Sequence, residues 1–580
     1  MAQKSKSRTH KKSSYRGFEG VDLKKTHTGD ESVSLIENFH ITEDGSLKKR
    51  SGFKSVYVSS NKSAAFKASH RFEYNGTETH YFTDGFMVKE YTPSSGAMID
   101  IGEVETQSGA HFFFDFDGYT YLFDNSRLFM IDSYSISEVE PYIPLYGKDW
   151  PSGVAGKVLE APNLFTTKIA ISYKLTEPAT SYLPLGELKV RSVNSLYRNG
   201  ELLTKSDYSL DTTFNHIVVP SFAAGDEFFA IVTLRTYDEY SEQKTALFNS
   251  HAVSDFYELD KSNLFFWGNE VGNKIFYSST VDRKNAEFIS EYVGCSKIYV
   301  PVNSYFCAGP ESETIKAFIR HYDRVLIMNK HSTWITNLKD LESRNLTLKS
   351  INASVGCAVF DACARIGNTI ISAGKDGAYE WTSDTDELSE CTARCISEPI
   401  KDLLPKKFFI NSKFYYNEPR GEVWFYSSQS KETWIYNIKH KAWSRFKGFS
   451  PSAFFKNASE AIFFEGKNLY VFKPSLTCDV VNGENREIVA SFKSGELEFN
   501  SRDKKKLSTA TVRGSFSGGS LNATFIFDGK TSLSADITPS NVHSVIPFRT
   551  RSGSFRSLTF ELTASGEGTQ IIHGIELDAD

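Results

Sequence analysis

Three carboxylates near the first long aromatic run could form a calcium loop. Asp115 and Asp117 precede Gly118, and Asp124 follows it, an order typical of loops whose carboxylates coordinate Ca²⁺. With Gly118 as the loop glycine, Asp124 falls at the closing position, but the opening ligand would have to be Phe113. Alternation along this run instead places Asp115 and Asp117 on the solvent face of a strand and at its turn. We therefore expect no metal here.

Other chemical motifs are incomplete. The run Gly514-Ser-Phe-Ser-Gly518 imitates a nucleophile elbow, but its central residue is Phe516. Cys391 and Cys395 have no histidine at ligand spacing, which favours core packing over zinc. Neither a phosphate-binding Gly-rich loop nor a His-Glu-x-x-His pair occurs. We predict no enzyme and no cofactor, although 71 acidic residues leave a glycosidase dyad impossible to single out.

The composition favours strands. Phe, Tyr and Trp make up 14% of the 580 residues, and Met only 5 residues, a balance typical of aromatic-rich pleated surfaces. A chain of this length predicts several domains. The expected fold class is all-β.

One local pattern recurs, in which an aromatic strand, a short turn and a second aromatic strand follow one another. The turns are Asn75-Gly76, Asp117-Gly118, Gly272-Asn273, Tyr322-Asp323, Gly367-Asn368, Arg420-Gly421 and Gly466-Lys467. After residue 272 the spacing is about 44 to 54 residues, the length of a four-stranded propeller blade. The sequence predicts a β-propeller of six to eight blades, with seven as the central value.

The spacing breaks between residues 118 and 272, where alternating segments predict a small inserted β-sandwich. After Pro474 the repeat ends, and further alternating segments predict a jelly-roll-like sandwich. We expect both to act as spacers or contacts between subunits, although either could be a peripheral binding module. The predicted domains are a basic flexible arm (1–32), a first propeller segment (33–145), the inserted sandwich (146–245), a second propeller segment (246–474) and the C-terminal sandwich (475–580).

The N-terminal arm is basic, and the part with its six cations, up to Arg16, consists largely of polar residues, so it is expected to be disordered until a partner binds it. Without its six cations the chain has 60 basic against 71 acidic residues, a net charge of −11. Such an acidic body is no general nucleic-acid binder. The arm could be a solvated tail, a tether for an acidic neighbouring subunit or, less favoured, a contact for DNA. The candidate partner-contact residues are Lys4, Lys6, Arg8, Lys11, Lys12 and Arg16.

Two further motifs lie near the N terminus. Gly20-Val21-Asp22-Leu23 is followed by the run Glu43-Asp44-Gly45-Ser46-Leu47-Lys48-Lys49-Arg50-Ser51-Gly52-Phe53, which predicts a hairpin turning at Asp44-Gly45. This pairing resembles the opening of tail proteins from tailed bacteriophages. It is most similar to the β-propeller proteins that form the tail nozzle or stabilise the head-to-tail joint.

The resemblance implies a structural virion protein that acts by assembly, without catalysis. Its expected partners are other tail proteins or the portal and adaptor proteins, in a homo-oligomeric ring around the DNA exit channel, with passing contact with genomic DNA. The alternatives are a tail-tip protein that binds host surface glycan and, less favoured, a propeller glycosidase. No apolar run approaches the roughly 18 residues of a membrane span, and no signal-peptide core occurs. The expected location is the virion tail, assembled in the host cytoplasm.

Overall fold

The computed structural model describes residues 11–16, 18, 20–21, 33–60, 66–104, 111–132, 134–151, 153–176, 182–219, 222–235, 240–255, 264–269, 272–343, 346–383, 391–427, 429–499, 503–537, 539, 543–549 and 553–580. Five strands open the chain: β1 (Lys11–Arg16), β2 (Val33–Glu37), β3 (Phe39–Ile41), β4 (Leu47–Lys49) and β5 (Phe53–Val58).

The first two propeller blades follow. Blade 1 contains β6 (Phe66–Tyr74), β7 (Thr77–Asp84), β8 (Met87–Thr92) and β9 (Ala97–Glu103). Blade 2 contains β10 (Phe112–Phe116), β11 (Tyr119–Phe123), β12 (Leu128–Asp132) and β13 (Ser135–Glu138).

The chain then leaves the propeller. The inserted domain contains β14 (Leu145–Trp150), β15 (Lys168–Lys174), β16 (Tyr182–Pro184), β17 (Val190–Arg198), β18 (Glu201–Leu202), β19 (Ser209–Asp211), β20 (His216–Val218) and β21 (Glu227–Leu234). Its strands form two sheets with the orders β14-β15-β21-β17-β18 and β16-β20-β19, around a core of its own that includes Trp150, Ile171 and Phe228. The predicted inserted β-sandwich is confirmed.

Helix α1 (Ser241–Phe248) leads back to the ring. Blade 3 contains β22 (Ala252–Asp255), β23 (Leu264–Trp267), β24 (Lys274–Tyr277), α2 (Arg283–Ser290) and β25 (Tyr305–Cys307). Blade 4 contains β26 (Ile315–His321), β27 (Arg324–Asn329), β28 (Thr333–Asn337), α3 (Leu338–Ser343) and β29 (Lys349–Asn352). Blade 5 contains β30 (Cys363–Ile366), β31 (Thr369–Ala373), β32 (Ala378–Ser383) and β33 (Cys391–Cys395).

The last two blades involve both ends of the chain. Blade 6 contains β34 (Lys413–Asn417), β35 (Glu422–Ser427), β36 (Glu432–Asn437) and β37 (Ala442–Phe446). Blade 7 contains β38 (Ala453–Phe454), β39 (Ile462–Glu465) and β40 (Asn468–Phe472), and the N-terminal β5 pairs with β40 as its fourth strand. The remaining strands are β41 (Cys478–Val481), β42 (Glu484–Glu487), β43 (Ala490–Ser494), β44 (Leu507–Phe516), β45 (Ser520–Phe527), β46 (Thr531–Ile537), β47 (His543–Arg549), β48 (Leu558–Ser565) and β49 (Gln570–Ala579).

Within the described residues the seven blades form a closed ring, because each packs on the next. Blades 1 and 2 meet in the cluster that contains Val88 and Leu122, blades 2 and 3 at Phe112 and Phe266, and blades 3 and 4 at Phe265 and Phe318. Strand β26 of blade 4 lies beside β30 of blade 5, and Trp443 Nε1 of blade 6 donates to the Ile396 carbonyl after blade 5. Blades 6 and 7 meet at Trp424 and Phe472, and blades 7 and 1 at Phe464 and Phe82. The fold is the predicted all-β propeller with two sandwiches, and the blade count equals the central value.

The turn pattern needs one correction. Five of the seven predicted turns join the first and second strands of a blade, but Gly272-Asn273 and Gly466-Lys467 join the second and third. In blades 3 and 7 the first two strands are separated by eight and seven residues, too many for a tight turn, and the glycine turn stands one hairpin later. The regular spacing therefore arose from turns that are not all equivalent.

The domain boundaries at the N terminus also differ from the prediction. Strands β2 and β4, expected in the propeller, pair with β43 and β49 of the C-terminal sandwich, and β3 pairs with β4. Strand β2 also pairs with β37 of blade 6, and β5 closes blade 7. The hairpin β41-β42, expected in the C-terminal domain, extends the sheet of blade 7 through β5. Sequence order assigned these segments to their neighbours along the chain, whereas pairing joins them to strands more than 400 residues away.

Candidate functional site: the joint between propeller and C-terminal sandwich

One sheet connects blade 6 to the C-terminal sandwich. Among the described residues its strand order is β34-β35-β36-β37-β2-β43-β48-β45-β46, so β2 stands between a propeller blade and the sandwich. Glu37 in β2 lies opposite Arg445 in β37 and accepts two of its hydrogen bonds, from Nε at 3.1 Å and Nη2 at 2.5 Å. The two domains are thus continuous through backbone pairing.

Arg50 is buried where the N-terminal hairpin, blade 7 and the segment after blade 6 meet. Its Nη1 and Nη2 donate to both carboxylate oxygens of Asp479, at 2.7 and 2.6 Å. Nε donates to Asn38 Oδ1, and the Nη atoms also donate to the carbonyls of Ser51 and Lys447. Such a fully paired bidentate arginine fixes three chain segments in one geometry.

Gly52 and Phe53, which follow Arg50 and Ser51, are packed closely against β41 and blade 7. A Cβ on Gly52 would lie 1.8 Å from the Cys478 carbonyl oxygen, so no larger residue fits without moving β41. Phe53 packs edge-on against Phe449 and Phe463 inside blade 7, with ring centroids 5.7 and 5.1 Å away. These contacts bind β5 to its blade.

The Gly-Val motif lies on the other side of the joint. The Val21 amide donates to the Trp443 carbonyl at 3.0 Å. Gly20 has φ +84, and a Cβ there would lie 2.5 Å from the Trp443 amide nitrogen. Phe18 is buried edge-on against Phe492 of the sandwich, and its amide donates to the Gly45 carbonyl. The two distant motifs therefore meet in space around one joint.

A buried polar pair supports this joint. His40 Nδ1 and Glu422 Oε1 are 2.8 Å apart, and Trp424 Nε1 donates to Glu422 Oε2 at 3.0 Å. Burial, with the nearby Arg420 charge, lowers the pKa of His40 despite Glu422. Burial opposes ionisation of Glu422, but the His40 contact and Arg420 outweigh it and lower the pKa of that carboxyl. The pair is thus a neutral imidazole donating to a carboxylate.

The tip of the hairpin touches the last strand. Asp44 accepts from Ser46 Oγ at 3.0 Å, and Ser46 Oγ is 3.0 Å from His573 Nδ1. The Thr42 and Ser46 hydroxyls and the Ser46 amide lower the pKa of Asp44, although burial opposes them. The predicted turn at Asp44-Gly45 therefore fixes the hairpin against β49.

The predicted contact residues of the arm fall into two groups. Lys4, Lys6 and Arg8 lie outside the described residues. Lys11, Lys12 and Arg16 belong to β1, which pairs antiparallel with β49 from Lys11 opposite Ala579 to Arg16 opposite Gly574. The expectation of a disordered segment is corrected for these residues, because their backbone completes an edge of the sandwich.

The loop between blades 4 and 5 contacts residues of three blades. The Phe360 ring stacks on His251, which precedes blade 3, at 4.6 Å. The next residue, Asp361, donates its amide to the Lys316 carbonyl in blade 4 and forms an ion pair with Lys456 in blade 7. Blades 3 and 7 are not neighbours in the ring, so Phe360 and Asp361 connect parts of the ring that do not pack on each other directly.

The carboxylates considered for calcium have separate partners. Asp115 is 3.1 Å from His70 Nε2 and accepts from Thr120 Oγ1, while Asp117 pairs with Lys297. Asp124 accepts from two amides and a hydroxyl of the turn that follows it. In the described part of the chain no group of three or more His, Cys, Asp or Glu side chains is arranged to hold a metal. Nor does any helix there have the length and apolar character to cross a membrane.

Comparisons with known proteins add no family. No family model matches the chain, and no curated protein matches it. The AfRom2 CNH domain is 7% identical, with 73% of this chain and 99% of that chain covered and a TM-score of 0.33. A crystal structure of the mitotic checkpoint complex is 8% identical, with 82% of this chain and 98% of that chain covered and a TM-score of 0.30. Likenesses this low carry no argument about function.

The sequence indicated the motif residues of the joint but not the acidic residues that lie in it. The glycines and Arg50 stood out because they lie in compact motifs. Asp479 and Glu422 did not, because each is one acidic residue among 71 and its partner is some 400 residues away. Only the fold brings them together.

Proposed function

We propose that this chain is a structural protein of the tail of a tailed bacteriophage, assembled in several copies at the nozzle or the head-to-tail joint. The observation that supports the proposal is that both motifs of the resemblance build one rigid joint. Gly20 and Val21 fix the outer strand of blade 6, and Arg50, Gly52 and Phe53 fix blade 7. Because the motif residues hold domains together, they agree with a role that depends on shape and not on catalysis.

Contacts between blades that are not neighbours favour a particular arrangement. Because the loop with Phe360 and Asp361 joins blade 4 to residues beside blades 3 and 7, we expect DNA in a tail to pass between copies of the chain and not through one propeller. A ring of copies with acidic bodies would present a like-charged wall, along which DNA slides without binding.

The test uses particles. An antibody raised against the purified chain should label tailed particles at the tail in electron micrographs, and interruption of the coding gene should give filled heads without complete tails. Arg50→Met should reproduce the tail defect when supplied in trans, whereas the charge change Lys339→Met on α3 should not. Complete, infectious particles lacking the protein would overturn the proposal.

A specific feature of the inserted sandwich favours the second candidate, a tail-tip protein that binds glycan. Phe214 is 75% exposed, at a turn where Asp211 accepts hydrogen bonds from the Thr213 and Phe214 amides. Its ring stacks near His216, which in turn packs on Tyr182 at 4.7 Å. A rigidly displayed aromatic is suited to a sugar face.

The two candidates differ in what Phe214 should do. Under the tail-tip alternative, Phe214→Ala should abolish adsorption of the purified protein to host cells and leave particle morphology intact. Under the proposed structural role, neither the parent protein nor the Phe214→Ala variant should adsorb to host cells. Tyr134, 81% exposed on blade 2, offers a matched control as Tyr134→Ala.

A further inference from the structure

The N-terminal segment from β1 to Val21, here called the docking segment, makes its described contacts far from its own position in the chain. Backbone hydrogen bonds and pairing join it to Gly45, to Trp443 and to residues 574–579, and Phe18 is buried against Phe492. It behaves as a peptide bound in a groove formed by blade 6 and the C-terminal sandwich.

The pairing of the segment with β49 places one of its cations opposite a carboxylate. In the β1-β49 register Lys12 lies opposite Asp578 and Ser14 opposite Glu576, and Asp580 lies one residue beyond β49. On the groove side, Arg513 in β44 contacts Glu576 at 3.4 Å. The register thus contains one pair of opposite charges, Lys12 and Asp578, and opposite charges speed such encounters between copies.

Eleven residues, 22–32, connect Val21 to Val33 in β2. Val21 and Val33 are therefore twelve residues apart and span at most about 43 Å when the connection is extended, which is on the order of one domain diameter. Every described contact of the docking segment would be made equally well by the identical segment of an adjacent copy. Exchange of such an element between identical protomers costs little, because no contact is lost.

We propose that, in the assembled ring, the docking segment of each copy binds the groove of the next copy. The partner is therefore a second copy of this chain, and the interface is β-strand addition to β49 together with Phe18 in the pocket beside Phe492. This inference rests on the proposed function, since it requires copies held side by side. In isolation the segment occupies its own groove, since a short connection gives it an effective concentration in the millimolar range.

Heterologous exchange of this kind closes into a ring when the rotation between copies allows it. Whichever copy it binds, the docking segment is packed as closely as a domain core. Gly20 has no room for a Cβ, although it lies in a segment that the propeller blades themselves do not need for pairing.

Cysteine pairs distinguish exchange from docking within one chain. Lys12→Cys and Asp578→Cys are directly opposed in the register, at a separation that a disulfide or a short bis-maleimide bridges. All variants carry Cys307→Ser, because Cys307 is an exposed thiol. The control pair Thr524→Cys and Ser534→Cys is opposed within the hairpin β45-β46 and must crosslink within one chain.

The decisive sample is a mixture of copies that carry only Lys12→Cys with copies that carry only Asp578→Cys. It is crosslinked in concentrated solution and in particles from cells that express both, and analysed by denaturing electrophoresis without reductant. Exchange predicts covalent dimers in the mixture and a ladder of oligomers for the double variant in the assembled state. The control pair should stay monomeric throughout.

Sedimentation of the same samples shows separately whether copies assemble. Assembled copies without dimers in the mixture, and with only intrachain bridges in the double variant, would overturn the exchange and leave the proposed function standing. Copies that neither assemble nor form dimers would also overturn the exchange, and the antibody labelling of particles would then decide the proposed function independently.

Discussion

The two sandwiches of this chain are attached to the propeller in opposite ways. The inserted sandwich has its own core around Trp150 and Phe228 and meets the ring through a second, smaller cluster in which Ala170 and Phe229 lie with Ile289 and Tyr299. The C-terminal sandwich shares both a sheet and a core with the ring, since one buried cluster extends from blade 4 through blades 5 and 6 into it.

This difference separates a module from a structural extension. The inserted sandwich shares no sheet with a blade among the described residues, and it is joined by side chains and by a few backbone hydrogen bonds, such as that from the Leu164 amide to the Val300 carbonyl. Such a sandwich can unfold or shift without breaking blade pairing, whereas one that continues a blade sheet cannot. The cooperative unit of the molecule should therefore comprise the propeller and the C-terminal sandwich, with the insert as a separate unit.

The largest expected effect comes from equal cavities in the two sandwiches. Phe560→Ala, in the C-terminal core beside Phe525, and Phe228→Ala, in the insert, should each cost about 3 to 5 kcal/mol. Phe560→Ala should lower the unfolding midpoint of the blades, because the core is shared. Phe228→Ala should produce a separate early transition confined to residues 168–234.

Hydrogen exchange followed by mass spectrometry measures this per segment, with blade 2 as the reference region. If Phe228→Ala also deprotects blade 2, the insert is not a separate unit. If Phe560→Ala leaves blade 6 fully protected, sheet continuity does not couple the domains.

The next effect tests the joint itself. Arg50→Met leaves the Asp479 carboxylate buried without its bidentate partner, and breaking one side of such a pair costs about 3 to 5 kcal/mol. Adding Asp479→Leu should recover a large part of that loss, because the uncompensated charge is removed. Denaturant unfolding of both variants measures this; a double variant no more stable than Arg50→Met would show that Asp479 is not the cause.

The features that could be predicted from the sequence are those with a local signal. Periodic aromatic strands predict the propeller and both sandwiches, because alternation and turn residues are local signals. The domains to which β2 to β5 belong could not be predicted, because pairing with strands near residues 445, 470, 493 and 572 has no local signature. The motif glycines were recognisable, but what they approach, Trp443 and Cys478, was not.

A smaller effect is expected at Gly20. Gly20→Ala adds backbone strain at φ +84 and a Cβ 2.5 Å from the Trp443 amide, so it should cost more than the roughly 1 kcal/mol that strain alone costs. Gly76→Ala is the matched control, with φ +74 and nothing within 4 Å of its Cβ. Chemical denaturation compares them, and equal losses would mean that the docking segment yields without cost.

The smallest effect is the pH dependence of the joint, which the inserted sandwich should not share. Burial lowers the pKa of His40, so in the folded protein it stays neutral while the unfolded chain takes up a proton as the pH falls below about 6.5. Stability from this group is present above that pH and is lost as the pH falls towards the folded pKa. Glu422, whose pKa is also lowered, extends the loss of stability to pH values below about 4.3.

The variant His40→Gln can still donate to Glu422 but does not titrate. Its unfolding free energy should therefore fall less than that of the parent between pH 7 and pH 5, the range in which a histidine of the unfolded chain takes up its proton. Because His80 and His321 are present in both proteins, the difference between the two curves isolates His40. Parallel curves for the two proteins would contradict a neutral buried His40, and a change in the early transition of the insert would contradict its independence from the joint.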